Sequence, residues 1–285
     1  MSLERAKQLV AGVTQVASLP EIYFKIEAAL EDPRTSNQNI ADILSEDSAL
    51  TARMLRLANS SFFNFPGRIE NVTQAITIIG MRQLREVVLA SSVVGVFKGL
   101  PGDHIDMDQF WRHSIGCGAA CRVMATLRRE SNIETAFVSG LLHDIGRLIL
   151  YKERPKDMGR LIEQCRRDNG LLYVAEQEHF GFDHADVGGL LMQEWRLPKR
   201  LIETTAHHHQ PQRAKDYVAE SALVHVANIL ASALQLGNSG EHFVTPLADE
   251  AWSKLGLDPS AVEIIVPEME KQYTVAVEMI LGTGQ

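Results

Sequence analysis

The sequence has no histidine before residue 104 and no cysteine before residue 117. All ten histidines (104, 113, 143, 179, 184, 207, 208, 209, 225 and 242) lie in the remainder of the 285 residues. Random scatter would give that split about once in 90 sequences, so the chain is chemically two-part. The three cysteines (117, 121 and 165) are odd in number and form no C-x-x-C pair, which excludes a disulfide framework and agrees with a reducing compartment. No apolar run approaches the roughly 20 residues that a membrane-spanning helix needs, and the opening MSLERAKQLV lacks a signal-peptide pattern. A cytoplasmic location is expected, with no membrane partner.

Positive charge is scarce as well. The net charge is -8, and residues 1–103 hold ten Lys/Arg against eleven Asp/Glu, so nearly all of the deficit falls on the histidine-bearing part. A protein that grips phosphate backbones needs the opposite excess, which disfavours nucleic acid as a partner. There is no Walker loop, and Gly116-x-Gly118 lacks both a third glycine and a preceding strand. What remains is an ordinary globular composition, 45% hydrophobic and 22% charged.

Apolar residues recur at helical spacing almost throughout, as in Ile22, Ile26 and Leu30, or Ile40, Ile43 and Leu44 followed by Leu50, Met54 and Leu57. No run alternates with the period of a strand. The expected fold is all-α, with roughly a dozen helices. Pro101-Gly102-Asp103 coincides with the onset of histidines, which divides the chain into an N-terminal helical lobe, 1–103, and a second helical lobe, 104–285. Residues 36–58 read as two short helices joined at Ser45-Glu46-Asp47, superficially a helix-turn-helix, but Leu50, Met54 and Leu57 claim one face for packing. The following Asn59, Ser60 and Ser61 with Phe62, Phe63, Phe65 and Pro66 form an apolar connector, read as core or, where exposed, as a docking patch.

The front lobe carries Leu19-Pro20, Asp47 ahead of Leu50, Leu57-Ala58-Asn59-Ser60, and Ala75-Ile76 leading to Gly80. With these spaced features the chain resembles, from about residue 14 to about 235, the HDOD family, the HD-related output domain of bacterial signalling proteins. The resemblance implies an N-terminal helical lobe packed on an HD-superfamily lobe. It implies regulation through contacts with signalling proteins.

In the second lobe, 138–151 (VSGLLHDIGRLILY) places His143 beside Asp144 within a helical pattern. Imidazole and carboxylate both suit divalent transition metals, and neighbours about 100° apart on a helix can bite one ion from its edge. Gly140 and Gly146 each weaken such a helix by about 1 kcal/mol, so something must approach it closely. The Leu-Leu-His-Asp-Ile-Gly context resembles the HD phosphohydrolase signature, whose order is His, then His-Asp, then a later Asp. His113 fits the first position, although it shares a stripe with Phe110, Cys117, Cys121 and Met124 and alone would read as a core histidine. Cys117 and Cys121 read as small core residues.

Asp183 is a plausible helix cap before His184 and Gly188, and Trp195-x-Leu197-Pro198 then leads to His207-His208-His209-Gln210-Pro211. This order resembles the HxxxG, W-x-LP, HHxP arrangement of HDOD proteins and of cyclic-dinucleotide phosphodiesterases, matching His184, His208 and His209 to metal positions. The alternative for the last two is a solvated helix end. Where the related hydrolases carry their final Asp stands Asn228, with His225 one turn earlier. The resemblance therefore implies one or two ions of Fe, Mn, Zn or Ni on His113, His143, Asp144, His184, His208, His209 and Asn228, in a site short of one negative charge. The enzymatic alternative is metal-assisted phosphoester hydrolysis, with Arg147 as a candidate phosphate clamp. The tail beyond residue 240 is helical in pattern (Val262, Ile265, Val266, Met269), for packing or for a homodimer.

Overall fold

The structure, a computed structural model, describes residues 2–13, 18–59, 67–97 and 105–282. Among these there are helices and no strands. The chain divides into two compact units, one of Met1–Ala17 with Gly99–Lys271 and the other of Ser18–Lys98 with Gln272–Gln285. The connector 60–66 and the turn 101–103 lie outside the described residues.

The unit that begins at Ser18 contains α2 (Glu21–Glu31), α3 (Asn37–Ser45), α4 (Ser48–Ala58), α5 (Val72–Ile79) and α6 (Met81–Val96). Side-chain caps set the starts of α3, α4 and α5. Ser36 forms a capping box with Asn39, Asp47 accepts from the Ala49 and Leu50 N–H groups, and Asn71 accepts from Gln74. Ile26, Ile40, Leu44, Leu50, Met54, Ile76 and Leu84 form the core. Asn59 clasps Ile69 in both directions, its amide donating to the Ile69 carbonyl and its oxygen accepting from the Ile69 N–H, each at 2.8 Å. The α3–α4 pair spends its apolar face on this core, which accounts for the helix-turn-helix pattern by packing alone.

The other unit, which holds the histidines, contains α1 (Ser2–Val13), α7 (Met107–Leu127), α8 (Ile133–Leu142), α9 (Ile145–Glu153), α10 (Pro155–Asp168), α11 (Leu172–Phe180), α12 (His184–Glu194), α13 (Lys199–His207), α14 (Val218–Ala233) and α15 (Ala251–Leu255). With α16 (Val262–Ile280) that makes sixteen α-helices among the described residues, more than the dozen expected. Apolar periodicity persists across the short joints, so helices separated by one or two residues merge in the sequence.

One such joint matters chemically. The expected single helix through 138–151 is two helices, and His143 and Asp144 form the hinge between α8 and α9, with Asp144 at φ -95°, ψ 8°. Broken there, the chain turns both side chains inward instead of fanning them around one axis. Glycines then bring neighbouring helices into backbone contact. A Cβ on Gly140 would stand 2.6 Å from the Cys117 carbonyl oxygen, and one on Gly146 would stand 2.0 Å from that of His184. These are the close approaches for which the two glycines give up helix propensity.

Gly146→Ala is therefore expected to destabilise the protein by about 3 kcal/mol in urea unfolding. Gly12→Ala, where a Cβ meets nothing within 4 Å, should be neutral or stabilising by about 0.5 kcal/mol. Equal effects at the two positions would refute the crossing argument.

Candidate metal centre

Six of the seven residues expected from the sequence to hold metal converge as follows. His113 comes from α7, His143 and Asp144 from the α8–α9 hinge, His184 from the first turn of α12, and His208 and His209 from just past the end of α13. The last two extend beyond the helix that was expected to contain them, since α13 closes at His207. A capping box between Asp183 and Asp186 fixes the start of α12, and so the exit of His184.

Asp144 stands between two groups of imidazoles. Its Oδ1 lies 2.9 Å from His184 Nε2 and 3.7 Å from His208 Nε2, while Oδ2 lies 3.4 Å from His143 Nε2 and 3.8 Å from His113 Nε2. On the Oδ1 side, His184 Nε2 is also 3.3 Å from His208 Nε2 and 3.0 Å from His209 Nε2. Asn228, from α14, stands beside His113. His113, His143, Asp144, His184, His208, His209 and Asn228 are all buried, the most accessible being His209 at 8%.

Hydrogen bonds behind the rings fix which nitrogens face inward. His143 Nδ1 donates to the Gly140 carbonyl at 2.7 Å, His208 Nδ1 to that of Thr205 at 2.8 Å, and His184 Nδ1 to Glu176 Oε2 at 2.6 Å. Each Nδ1–H so committed leaves Nε2 pointing at the common centre, the arrangement that orients metal-binding histidines. His225 is held otherwise. Its Nδ1 donates to the His208 carbonyl at 2.8 Å and its Nε2 accepts from the Ala248 N–H at 2.9 Å, so both nitrogens are spent on backbone.

The electrostatics require positive charge where the Nε2 atoms meet. Burial alone would raise the Asp144 carboxyl, but Arg147, His143 and His184 hold it well below the carboxylate range. Burial and Arg147 oppose charge on His184, yet Glu176 and Asp144 outweigh them and raise it to about 9. Burial and neighbouring histidines keep His113 (lowered to about 3), His208 and His209 neutral. His143 Nε2 has no hydrogen-bond partner, and Asp144 Oδ1 has none of proper direction although His184 stands 2.9 Å away. The neutral imidazoles of His113, His208 and His209, the ionised Asp144 and the unpartnered inward atoms are donors a divalent transition metal takes, and an ion would replace the proton that His184 holds, so the residues fit such an ion.

Several neighbours were not legible as part of the site. Glu176 is fully buried behind His184 and also faces Arg147 at 3.9 Å. Arg147 is itself buried, donating to the Ser239 carbonyl at 3.2 Å and hydroxyl at 3.1 Å, with Glu241 at 3.9 Å. The guanidinium expected as a phosphate clamp is thus buried and partly engaged within the fold. Tyr173 stacks on His209 with ring centres 4.0 Å apart. His207 is half-buried, His179 and His242 are exposed against Asp157 and Arg166, and His104 lies outside the described residues.

A histidine-aspartate hinge set among helices that point imidazoles at both its oxygens defines the class of HD-like helical proteins. Within it, the HDOD domain profile matches residues 16–211, and the chain belongs to that family. A solved HDOD domain protein of unknown function from Geobacter sulfurreducens is 25% identical, with a TM-score of 0.77 and 97% of each chain covered. A Shewanella amazonensis SB2B protein described as a candidate phosphohydrolase shares the fold at 24% identity and a TM-score of 0.74, covering 95% of this chain and 97% of that one. An uncharacterised protein of Treponema pallidum (strain Nichols) is 25% identical over 226 residues, 79% of this chain and 44% of that protein. The chain thus spans less than half the length of the curated relative it matches.

Beside the site, Glu203 Oε2 accepts from the N–H groups of Lys215, Asp216 and Tyr217, anchoring the loop after α13. Burial alone would raise its carboxyl, but those donors and Lys199 lower it from 4.5. The stabilisation is therefore present above that value and lost as pH falls through the folded one. Glu203→Gln should cost about 2 kcal/mol at neutral pH, a difference that shrinks below about pH 4 in parallel denaturant titrations.

Proposed function

We propose that this chain is a regulatory protein of bacterial signalling whose HD-like site holds one or two divalent transition ions as a buried centre, and which acts on protein partners rather than on a phosphoester substrate. The observation that carries this reading is enclosure. No donor of the cluster is more than 8% exposed, and the guanidinium in its wall, Arg147, donates to Ser239 and is faced by Asp144, Glu176 and Glu241. A hydrolase of this kind needs room for a phosphoryl group and a donor free to meet it.

His184, His208 and His209 would hold an ion with Asp144 Oδ1, and His113 and His143 would hold one with Oδ2. Asn228 offers an amide oxygen in place of a carboxylate, which binds more weakly and leaves the site one negative charge short. Family membership supports the signalling role, and partner contacts are the means the HDOD resemblance implies.

A second reading, metal-assisted phosphoester hydrolysis, draws on the carboxylate set between two imidazole groups. A bound ion supplies Lewis acidity and an acidified water. On this reading Glu176 fixes the His184 ring, Asp144 stays ionised, and the wall of Arg147 and Ser239 must open before substrate enters.

Elemental analysis of untagged protein is expected to find about one equivalent or more of Fe, Mn, Zn or Ni, falling sharply in His143→Ala. Turnover of bis(p-nitrophenyl) phosphate should stay at background with any of these metals. Robust hydrolysis abolished by His143→Ala would overturn the regulatory reading in favour of the enzyme, and metal-free protein under all loading conditions would overturn both.

A further inference from the structure

The half of the centre served by Asp144 Oδ2 is short of charge. Among the described residues it has two imidazoles, His113 and His143, one oxygen of a shared carboxylate, and the neutral amide of Asn228. A divalent ion buried there would keep an uncompensated positive charge, which is costly in so dry a site. One further side chain reaches the same point. Cys117 lies one turn beyond His113 on α7, and its Sγ is 3.6 Å from His113 Nε2. The ligand atoms of His113, Cys117 and His143 all lie within 4.8 Å of one another.

We propose that Cys117 is a metal ligand, completing with His113, His143 and Asp144 a mixed nitrogen, sulfur and oxygen site that takes Zn2+. The proposal rests on the metal-holding reading above and deepens it by naming the ligand that replaces the missing carboxylate.

Three observations carry it. With Zn–S near 2.3 Å and Zn–N near 2.0–2.1 Å, the sulfur-to-nitrogen edge of a tetrahedral site is about 3.6 Å, and the observed separation is 3.6 Å. The imidazole across from the thiol, His143, is fully buried, and its Nε2 is the atom without a hydrogen-bond partner. The placement is also built into the helix crossing, because Gly140 lies against the Cys117 backbone and so sets the end of α8 beside the sulfur. Cys121, one turn further on, points elsewhere, its Sγ lying 4.0 Å from the Leu223 carbonyl.

The chemistry balances without a further reactant. In the absence of an ion, burial, Cys121 and Asp144 keep the Cys117 thiol protonated. On binding, the S–H bond gives way to an S–metal bond and the proton leaves to water, so the thiolate charge offsets one of the two charges on the ion. Thiolate also changes the preference of the site, from the oxygen-loving Mn2+ toward Zn2+.

The test is cobalt substitution of the full chain. Co2+-loaded protein should show a near-ultraviolet thiolate-to-Co2+ charge-transfer band that persists in Cys121→Ala and Cys165→Ser and disappears in Cys117→Ala. Cys117→Ser, which keeps the side-chain volume, should lose the band as well while retaining the native circular dichroism. Zn2+ affinity should fall about tenfold or more in both Cys117 variants, with Mn2+ affinity little changed. Folded wild-type protein that takes up Co2+ without the band would overturn this inference and leave the metal-holding reading standing. Failure to take up Co2+, Zn2+ or Mn2+ at all would overturn both.

Discussion

A carboxylate removed from water must be met by positive charge, and the histidine-bearing unit is arranged around that requirement at Asp144. The side chain is 2% exposed, and its two oxygens face different sets of imidazoles, with Arg147 at 3.9 Å as the permanent countercharge. Arg147 is equally buried, so it needs carboxylates of its own, which Glu176 and Glu241 provide from α11 and from the segment after α14. Glu176 in turn orients His184. Each buried charge thus recruits the next, and α9, α11, α12 and the 239–241 segment are tied together by one electrostatic network. Removing one member strands the others, and for that reason such networks are costly to break.

The network also limits what the site can do. Hydrogen bonds behind the rings of His143, His184 and His208 turn their Nε2 atoms toward Asp144, an arrangement suited to a cation.

Much of this was legible in the sequence. The helical spacing, the Asp183 cap and the glycines at 140 and 146 are local features, and each has the local consequence expected of it. The joints were less legible. His143-Asp144 looked helical because apolar periodicity carries across a two-residue hinge, and the extra helices were missed for the same reason. Glu176 and Glu241 carry no motif. Their roles come from facing Arg147 across the fold, and a glutamate eight residues before a histidine looks like any solvated one.

The sequence by itself determined the class of fold and the family, and it named the candidate donors, Asn228 among them. These depend on periodicity, caps and residue chemistry, all of which act within a few turns of chain. Tertiary structure decided that Arg147 is a buried countercharge, that His225 is spent on backbone, and that Cys117 faces His113 and His143. Those outcomes depend on which helices cross and how closely, and the crossing is set by packing between residues up to a hundred positions apart.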